Sequence, residues 1–175
     1  MLSTSDYTLA LQTPADAAAI NALHEISFGP GRFARTAFRI RETAAVADEL
    51  CFVAHSSTSH KIVGSVVLSH ITIGDAPSLL LGPLTVTPEY KNKGAGKLLM
   101  RQAVESARTA GYQSIILVGD EPYYGPFGFR PIPPNQITLP GPVDPARLLV
   151  CVLQDGAEFT ASGEVRGMTT PIKKV

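Results

Sequence analysis

Residues 88–103 read "PEYKNKGAGKLLMRQA" and gather Lys91, Lys93 and Lys97 around Gly94 and Gly96, at the point where an apolar run gives way to a helical pattern. A cationic, glycine-rich bend leading into a helix suits a phosphate. The first turn of a helix leaves N–H groups without intrahelical partners and carries partial positive charge. Glycines let the backbone approach the oxygens and turn without steric cost. A second charged cluster lies upstream, where "FGPGRFARTAFRIR" packs four arginines into ten residues. If that segment is helical, Arg32, Arg35 and Arg39 line up on one face, while Phe33, Ala37 and Ile40 point elsewhere. The bland account of such a row is a solvated face or salt bridges to acids such as Glu42.

Nucleotides, dinucleotides, coenzyme A and nucleic acid all carry phosphate, and the residues around the loop narrow the choice. A P-loop needs a glycine where Lys91 stands and Ser or Thr where Leu98 stands. A dinucleotide fingerprint needs a third glycine at Leu99, and it starts directly after the strand, whereas "TPEYKNK" intervenes here. Lys plus Arg and Asp plus Glu both number 15, so no global basic field draws in nucleic acid, and aromatics are not interleaved with the lysines. The four histidines form no HExxH pair, no metal site is expected, and no GxSxG elbow is present. Cys51 and Cys151 sit in strand-like apolar runs without CxxC spacing and read as buried thiols. No signal peptide and no apolar run of the ~20 residues needed to span a bilayer is evident, so a cytoplasmic protein without a membrane partner is expected.

The elements that must position these groups fit one domain over residues 1–175, without repeat or linker. "YTLALQ" reads as a strand. Thr13 caps a helix with Pro14 at its first position, and Ala19, Ala22, Leu23 and Ile26 recur on one face of it. The pattern from Gly29 to Leu50 also reads as helical. "ELCFVAHS", "KIVGSVVLSHITI" and "SLLLGPLTVT" then form an antiparallel meander. A helix from Ala95 to Ala110 follows, with Leu99, Ala103 and Ser106 on its inner side, and Gly111 stops it. "SIILVG" is a strand covered on both faces, which makes the unit from Leu79 to Gly119 a parallel crossover. "RPIPPNQITLPGPVDP" is mostly loop, and "RLLVCVL" and "GEVRGM" are late strands.

"LTVTPEYKNKGAGKLLM" resembles the pyrophosphate loop of the GNAT superfamily of N-acetyltransferases, Arg/Gln-x-x-Gly-x-Gly/Ala, with Lys91 in the usual Arg/Gln place. "GDEPYYGPFGFRPI" resembles the Tyr-x-x-x-Gly-Phe block after the fifth strand, in the form of the family's YhbS-type bacterial branch. The two blocks span roughly Leu79 to Ile132. The resemblance implies an α/β GNAT fold: a mixed, mostly antiparallel sheet with one parallel strand–helix–strand crossover and helices on both faces. It implies acetyl-CoA as co-substrate, with no metal. The acyl group would pass directly to the amine of a small molecule or peptide, on a monomer or homodimer.

By the same resemblance, Lys91, Asn92, Lys93, Gly94, Ala95, Gly96 and Lys97 hold the pyrophosphate, while Leu84, Thr85 and Val86 pair with the pantetheine arm. Gly82-Pro83 suits the distortion that this strand carries in the family. Tyr124 matches the tyrosine that protonates or hydrogen-bonds the departing thiolate, and Tyr123 beside it is expected to pack. The strand before the loop lacks the family's usual glutamate. Asp120 is therefore the candidate for the base role, beside Glu121 and His70, although an Asx-type turn contact serves Asp120 equally. Arg35 and Arg39 are candidate grips for a carboxylate on the acceptor. The missing acid also admits a second reading, a non-catalytic acyl-CoA-binding sensor or scaffold module.

Overall fold

The computed structural model describes residues 5–31 and 35–171. In chain order, β1 (Tyr7–Leu11) leads to α1 (Ala17–Phe28) and α2 (Thr36–Thr43). The meander follows as β2 (Phe52–Ser56), β3 (Ile62–Ile73) and β4 (Ala76–Val86), then α3 (Ala95–Thr109), β5 (Ser114–Val118) and the single turn α4 (Glu121–Tyr124). Two-residue strands β6 (Arg130–Pro131) and β7 (Ile137–Thr138) interrupt the proline-rich loop, and β8 (Leu148–Val152) and β9 (Gly163–Gly167) close the chain.

The sheet order is β1-β2-β3-β4-β5-β8-β6, with β9 on the far end of β3 and β7 beside β9. β2 to β4 are antiparallel neighbours, as the meander predicts, and β1 adds to them antiparallel beside β2. β5 pairs parallel with β4 after the α3 crossover, and a short parallel contact also joins β7 to β9. Side chains alternate between two cores, because successive strand residues face opposite sides. Leu79, Leu81, Ile115 and Leu117 bury against Leu99, Met100 and Ala103 of α3. Leu80, Ile116, Ile71 and Ile73 bury on the other face with Ile40 of α2. Helices thus cover both faces, which is why β5 shows no apolar–polar alternation in sequence.

The α3 stripe is wider than its sequence period implies, since Leu98, Val104 and Ala107 are also buried. Gly111 ends the helix with φ +84°; its N–H reaches the Arg108 carbonyl while that of Tyr112 reaches Ala107, the paired bonds of a Schellman cap. The buried face of α1 shares only Leu23 with the face its period predicts. Ile20 and Leu23 are buried, whereas Ala19, Ala22 and Ile26 are exposed, Ile26 by 63%. Alanines mark a helix face weakly because they bury little area wherever they point. Thr13 does begin this region, its N–H donating to Asp16 Oδ2 at 2.8 Å, but it caps a 3-10 turn over Pro14–Asp16 that precedes α1.

Among the described residues, the helix expected from Gly29 to Leu50 is confined to α2. Beyond Thr43 the backbone serves the sheet instead. The Ala47 N–H donates to the Leu68 carbonyl and the His70 N–H to the Ala45 carbonyl, both at 2.9 Å, filling the β3 edge between β2 and β9. Unpaired strand edge outweighs local helix propensity here.

Both cysteines are buried. The Cys51 Sγ donates to the Ala47 carbonyl at 3.2 Å, and burial pushes its thiol up to about 12; burial also raises that of Cys151. Since the thiolate is the reactive species, neither should react with a chromogenic disulfide reagent in the folded protein. Both should titrate once the chain is unfolded in denaturant. Rapid native labelling would show that these strands open readily.

Candidate active site

Pairing between β4 and β5 ends at Leu80↔Ile116, while β4 continues to Val86 along β3 alone. Gly82 and Pro83 cause the change of course: between Val66↔Leu84 and Leu68↔Leu81 they oppose the single residue Val67, a β-bulge. The half of β4 from Leu81 onward therefore turns one backbone edge toward a gap rather than a neighbour.

At one end of this gap lies the loop before α3. Asn92 (φ +60°) and Gly94 (φ +98°) bend the chain so that Gly94 caps the helix. A Cβ added at Gly94 would meet nothing within 4 Å, so this backbone stands open to a ligand. The hollow here, about 390 Å³, is lined by Leu84, Val86, Lys91, Asn92, Gly94, Gly96 and Lys97 together with Tyr90, Tyr123 and Tyr124. Three of the residues expected with them point elsewhere. Thr85 is buried with its hydroxyl 2.9 Å from that of Ser65, Ala95 is buried in the α3 core, and Lys93 Nζ lies 5.6 Å from the Tyr90 ring centre. Only the backbone of Thr85 and Ala95 remains for a ligand.

A second, larger hollow of about 660 Å³ opens on the other side of the bulge, between α2, the ends of β4 and β5, α4 and residues 142–147. Leu84, Tyr123 and Tyr124 line both hollows and so stand at their junction. Tyr123, expected to pack, is 40% exposed, and a Cβ on Gly96 would come within 2.7 Å of its hydroxyl. The Tyr124 ring lies flush on Gly119, where a Cβ would collide with it, and meets Phe129 edge-on. Burial, then Tyr123 and Asp120, push its hydroxyl up to about 12. It is a protonated donor at any ordinary pH.

Asp120 lines the larger hollow but makes no side-chain cap to α4; its carboxylate accepts from Arg147 Nε at 3.1 Å. Glu121 is exposed, and His70 is buried near Tyr112, lining neither hollow. Arg35 reaches the larger hollow, with its guanidinium 5.2 Å from the Phe28 ring centre. Arg39 is exposed and does not line it. The expected arginine row fails because α2 begins only at Thr36, leaving Arg35 extended at the cap; Arg32 and Phe33 lie outside the described residues. The arginine that sequence reasoning passed over is Arg41, whose guanidinium enters the larger hollow beside Gly82 and over Phe38. A helix begun at Thr36 would have shown Phe38 and Arg41 one turn apart on a shared face. Among the described residues no three His, Cys, Asp or Glu side chains gather as a metal site, and no helix is long and apolar enough to cross a membrane.

A family model described as the acetyltransferase (GNAT) family matches residues 18–129. The chain belongs to the GNAT family of acetyltransferases. The matched span runs from α1 through α4 and holds most of both hollows. Among GNAT relatives, the uncharacterised N-acetyltransferase YjhQ of Escherichia coli is 28% identical over 134 residues, covering 74% of this chain and 73% of that protein. The uncharacterised N-acetyltransferase YhbS of Escherichia coli is 27% identical over 122 residues, covering 69% and 71%. The GNAT fold agrees with the crystal structure of Escherichia coli YhbS in complex with CoA, at TM-score 0.76 and 22% identity over 95% of this chain and 92% of that one. A GNAT family acetyltransferase from Brucella melitensis in complex with acetyl-CoA aligns at TM-score 0.67 and 25% identity, over 91% and 94%.

Proposed function

We propose that this acetyltransferase binds acetyl-CoA along the β4 gap and transfers the acetyl group directly to an amine that enters from the α2 side. The observation that carries this reading is the junction itself. Two hollows meet at Leu84, Tyr123 and Tyr124, where β4 has lost its parallel neighbour. The amides from Lys91 to Lys97 hold the pyrophosphate, with the positive end of α3 behind them. The free edge of Leu84, Thr85 and Val86 pairs with the pantetheine arm. CoA and acetyl-CoA are bound by the relatives from Escherichia coli and Brucella melitensis, which supports the same ligand here.

In the transfer a C–N bond forms and the C–S bond breaks. A backbone N–H of the bulged strand steadies the carbonyl oxygen as it gains charge. Tyr124 donates a hydrogen bond to the departing sulfur. Its hydroxyl, at about 12, holds its proton more tightly than a thiol near 8.5. The thiolate is therefore stabilised by the hydrogen bond and protonated afterwards from water. Neither cysteine lines a hollow, consistent with transfer that forms no acyl-enzyme. The amine sheds its proton through water in the open cleft, with Asp120 as relay. Arg35, and from its outer position Arg39, help draw an anionic acceptor to the mouth.

Because Asp120 is exposed and held by Arg147, its replacement should matter little. Asp120→Asn should lower turnover by less than about tenfold, below the 10²–10⁴ of a dedicated base, and stability by less than about 1 kcal/mol. A larger kinetic loss with unchanged stability would make it a base in its own right. The whole reading is tested by free thiol release from acetyl-CoA across amines, amino acids, polyamines and peptides. Binding of acetyl-CoA without acetylation of any of them would favour a sensing or scaffold role.

A further inference from the structure

The larger hollow contains a cation that nothing in the transfer step uses. Arg41 is almost wholly enclosed, and its Nε and Nη1 are buried without a hydrogen-bond partner. Burial pulls it down to about 9, still a cation at neutral pH. Its carbon lies 4.8 Å from the Phe38 ring centre, a contact that favours the charge but leaves the N–H donors unanswered. The other charged groups in the hollow do not supply the missing acceptor. Asp120 is held by Arg147, Asp144 Oδ1 accepts from the Ala146 N–H, and Arg35 is a second cation. No ion pair joins Arg41 to an acid among the described residues.

Room for the guanidinium is specifically kept. At Gly82, on the bulge, a Cβ would come within 2.7 Å of Arg41 Nη2. The side chain thus reaches the strand position where the two hollows begin to merge. An unpaired buried donor is costly, more so when charged, so a ligand that answers one of these donors recovers what the protein alone forgoes. Nη2 shares one edge of the guanidinium with Nε and the other with Nη1, and the parallel N–H groups of either edge match the two oxygens of a carboxylate lying beside Gly82.

We propose that Arg41 clamps a carboxylate on the acceptor, making the acceptor a small amino acid whose carboxylate lies within a few bonds of its amine. This rests on the larger hollow being the acceptor side of the acetyl transfer. Arg41 holds the acid end beside Gly82, and the amine end then faces the junction at Leu84 and Tyr124. The nitrogen takes the acetyl group and releases a proton to water as coenzyme A departs. Arg41 is a specificity determinant here, not part of the bond-making machinery.

The test uses α-, β- and γ-amino acids beside their matched carboxamides and decarboxylated amines. Thiol release from acetyl-CoA is measured for the wild type, Arg41→Gln and Arg41→Lys. The wild type should prefer at least one amino acid over its amide by about 10- to 100-fold in kcat/KM, the range for a hydrogen bond to a charged group. Arg41→Gln should erase that preference mainly through KM, with acetyl-CoA affinity unchanged. Arg41→Lys should restore part of it, and Gly82→Ala should weaken it by displacing the guanidinium. Equal use of acids and amides by the wild type, or a preference that survives Arg41→Gln, overturns the proposal.

Thermal stabilisation by the same amino acids, with and without acetyl-CoA, reads the arginine site apart from turnover. Stabilisation in the wild type that Arg41→Gln loses supports the clamp even if no acceptor is acetylated. Its absence in the wild type overturns the clamp. Failure of acetyl-CoA itself to bind would instead overturn the reading of the β4 gap.

Discussion

Tyr124→Phe should slow turnover by about 10² to 10³ while leaving acetyl-CoA affinity within about twofold. The magnitude is that of removing one oriented donor from a developing negative charge. The ring keeps its packing against Gly119 and Phe129 in the variant, so only the hydroxyl is lost. The pH profile supplies a second check. Burial holds the hydroxyl at about 12, so the wild type should show no falling limb from Tyr124 below about pH 11. The rising limb should follow ionisation of the acceptor amine, because only the neutral amine attacks. A turnover number unchanged in Tyr124→Phe would remove the tyrosine from the chemistry. Tyr123, whose hydroxyl hangs over Gly96, would then be the group to replace next.

The second large effect belongs to the loop. Acetyl-CoA at a hundredfold excess over its Kd should stabilise the wild type by about 2.7 kcal/mol. Gly94→Val should abolish that gain. At φ +98° a β-branched residue is strained, which lowers the baseline stability by roughly 1–3 kcal/mol. The new side chain also projects into the space now open above the backbone. Because the strain acts with or without ligand, the informative quantity is the shift on adding acetyl-CoA. A full shift in Gly94→Val, measured from its own lower baseline, would mean that the pyrophosphate lies elsewhere. Comparing coenzyme A with dephospho-coenzyme A then reports whether Lys91, Lys93 or Lys97 holds the 3′-phosphate.

The crossover and the loop were legible because their determinants are local. Leu99 and Ala103 mark the inner side of α3, Gly111 ends it in one residue, and Gly94 and Gly96 sit within one turn of its start. The alternation of Leu79, Leu80 and Leu81 cannot be seen in letters alone, since both faces of β4 are apolar. Its meaning appears only when α3 and α2 are in place on opposite sides. The α1 face was only partly legible because Ala19 and Ala22 carry the period without the buried area, while Ile20, off that period, is buried beside Leu23. The larger hollow was least legible. It assembles α2, the bulge at Gly82, the end of β5 and the loop around Asp144, and no local pattern links them. Arg41 illustrates the point. Beside Arg39 in sequence it looks like another surface charge, and only the Gly82 bulge, half the meander away, reveals the space made for it.

The ladder of β4, paired on both edges at Leu79 and Leu80 and on one edge from Leu81 onward, divides a single strand into two exchange regimes. Amides that point into the ladder at Leu79 and Leu80 should surrender deuterium only when the whole domain opens, whereas those facing the gap beyond Leu81 should exchange through small local fluctuations. If a pantetheine arm adds the missing strand neighbour, as proposed, ligand should slow the fast half and leave the slow half nearly unchanged. The strand would then behave as a half-closed zip fastener whose last teeth are supplied by the substrate.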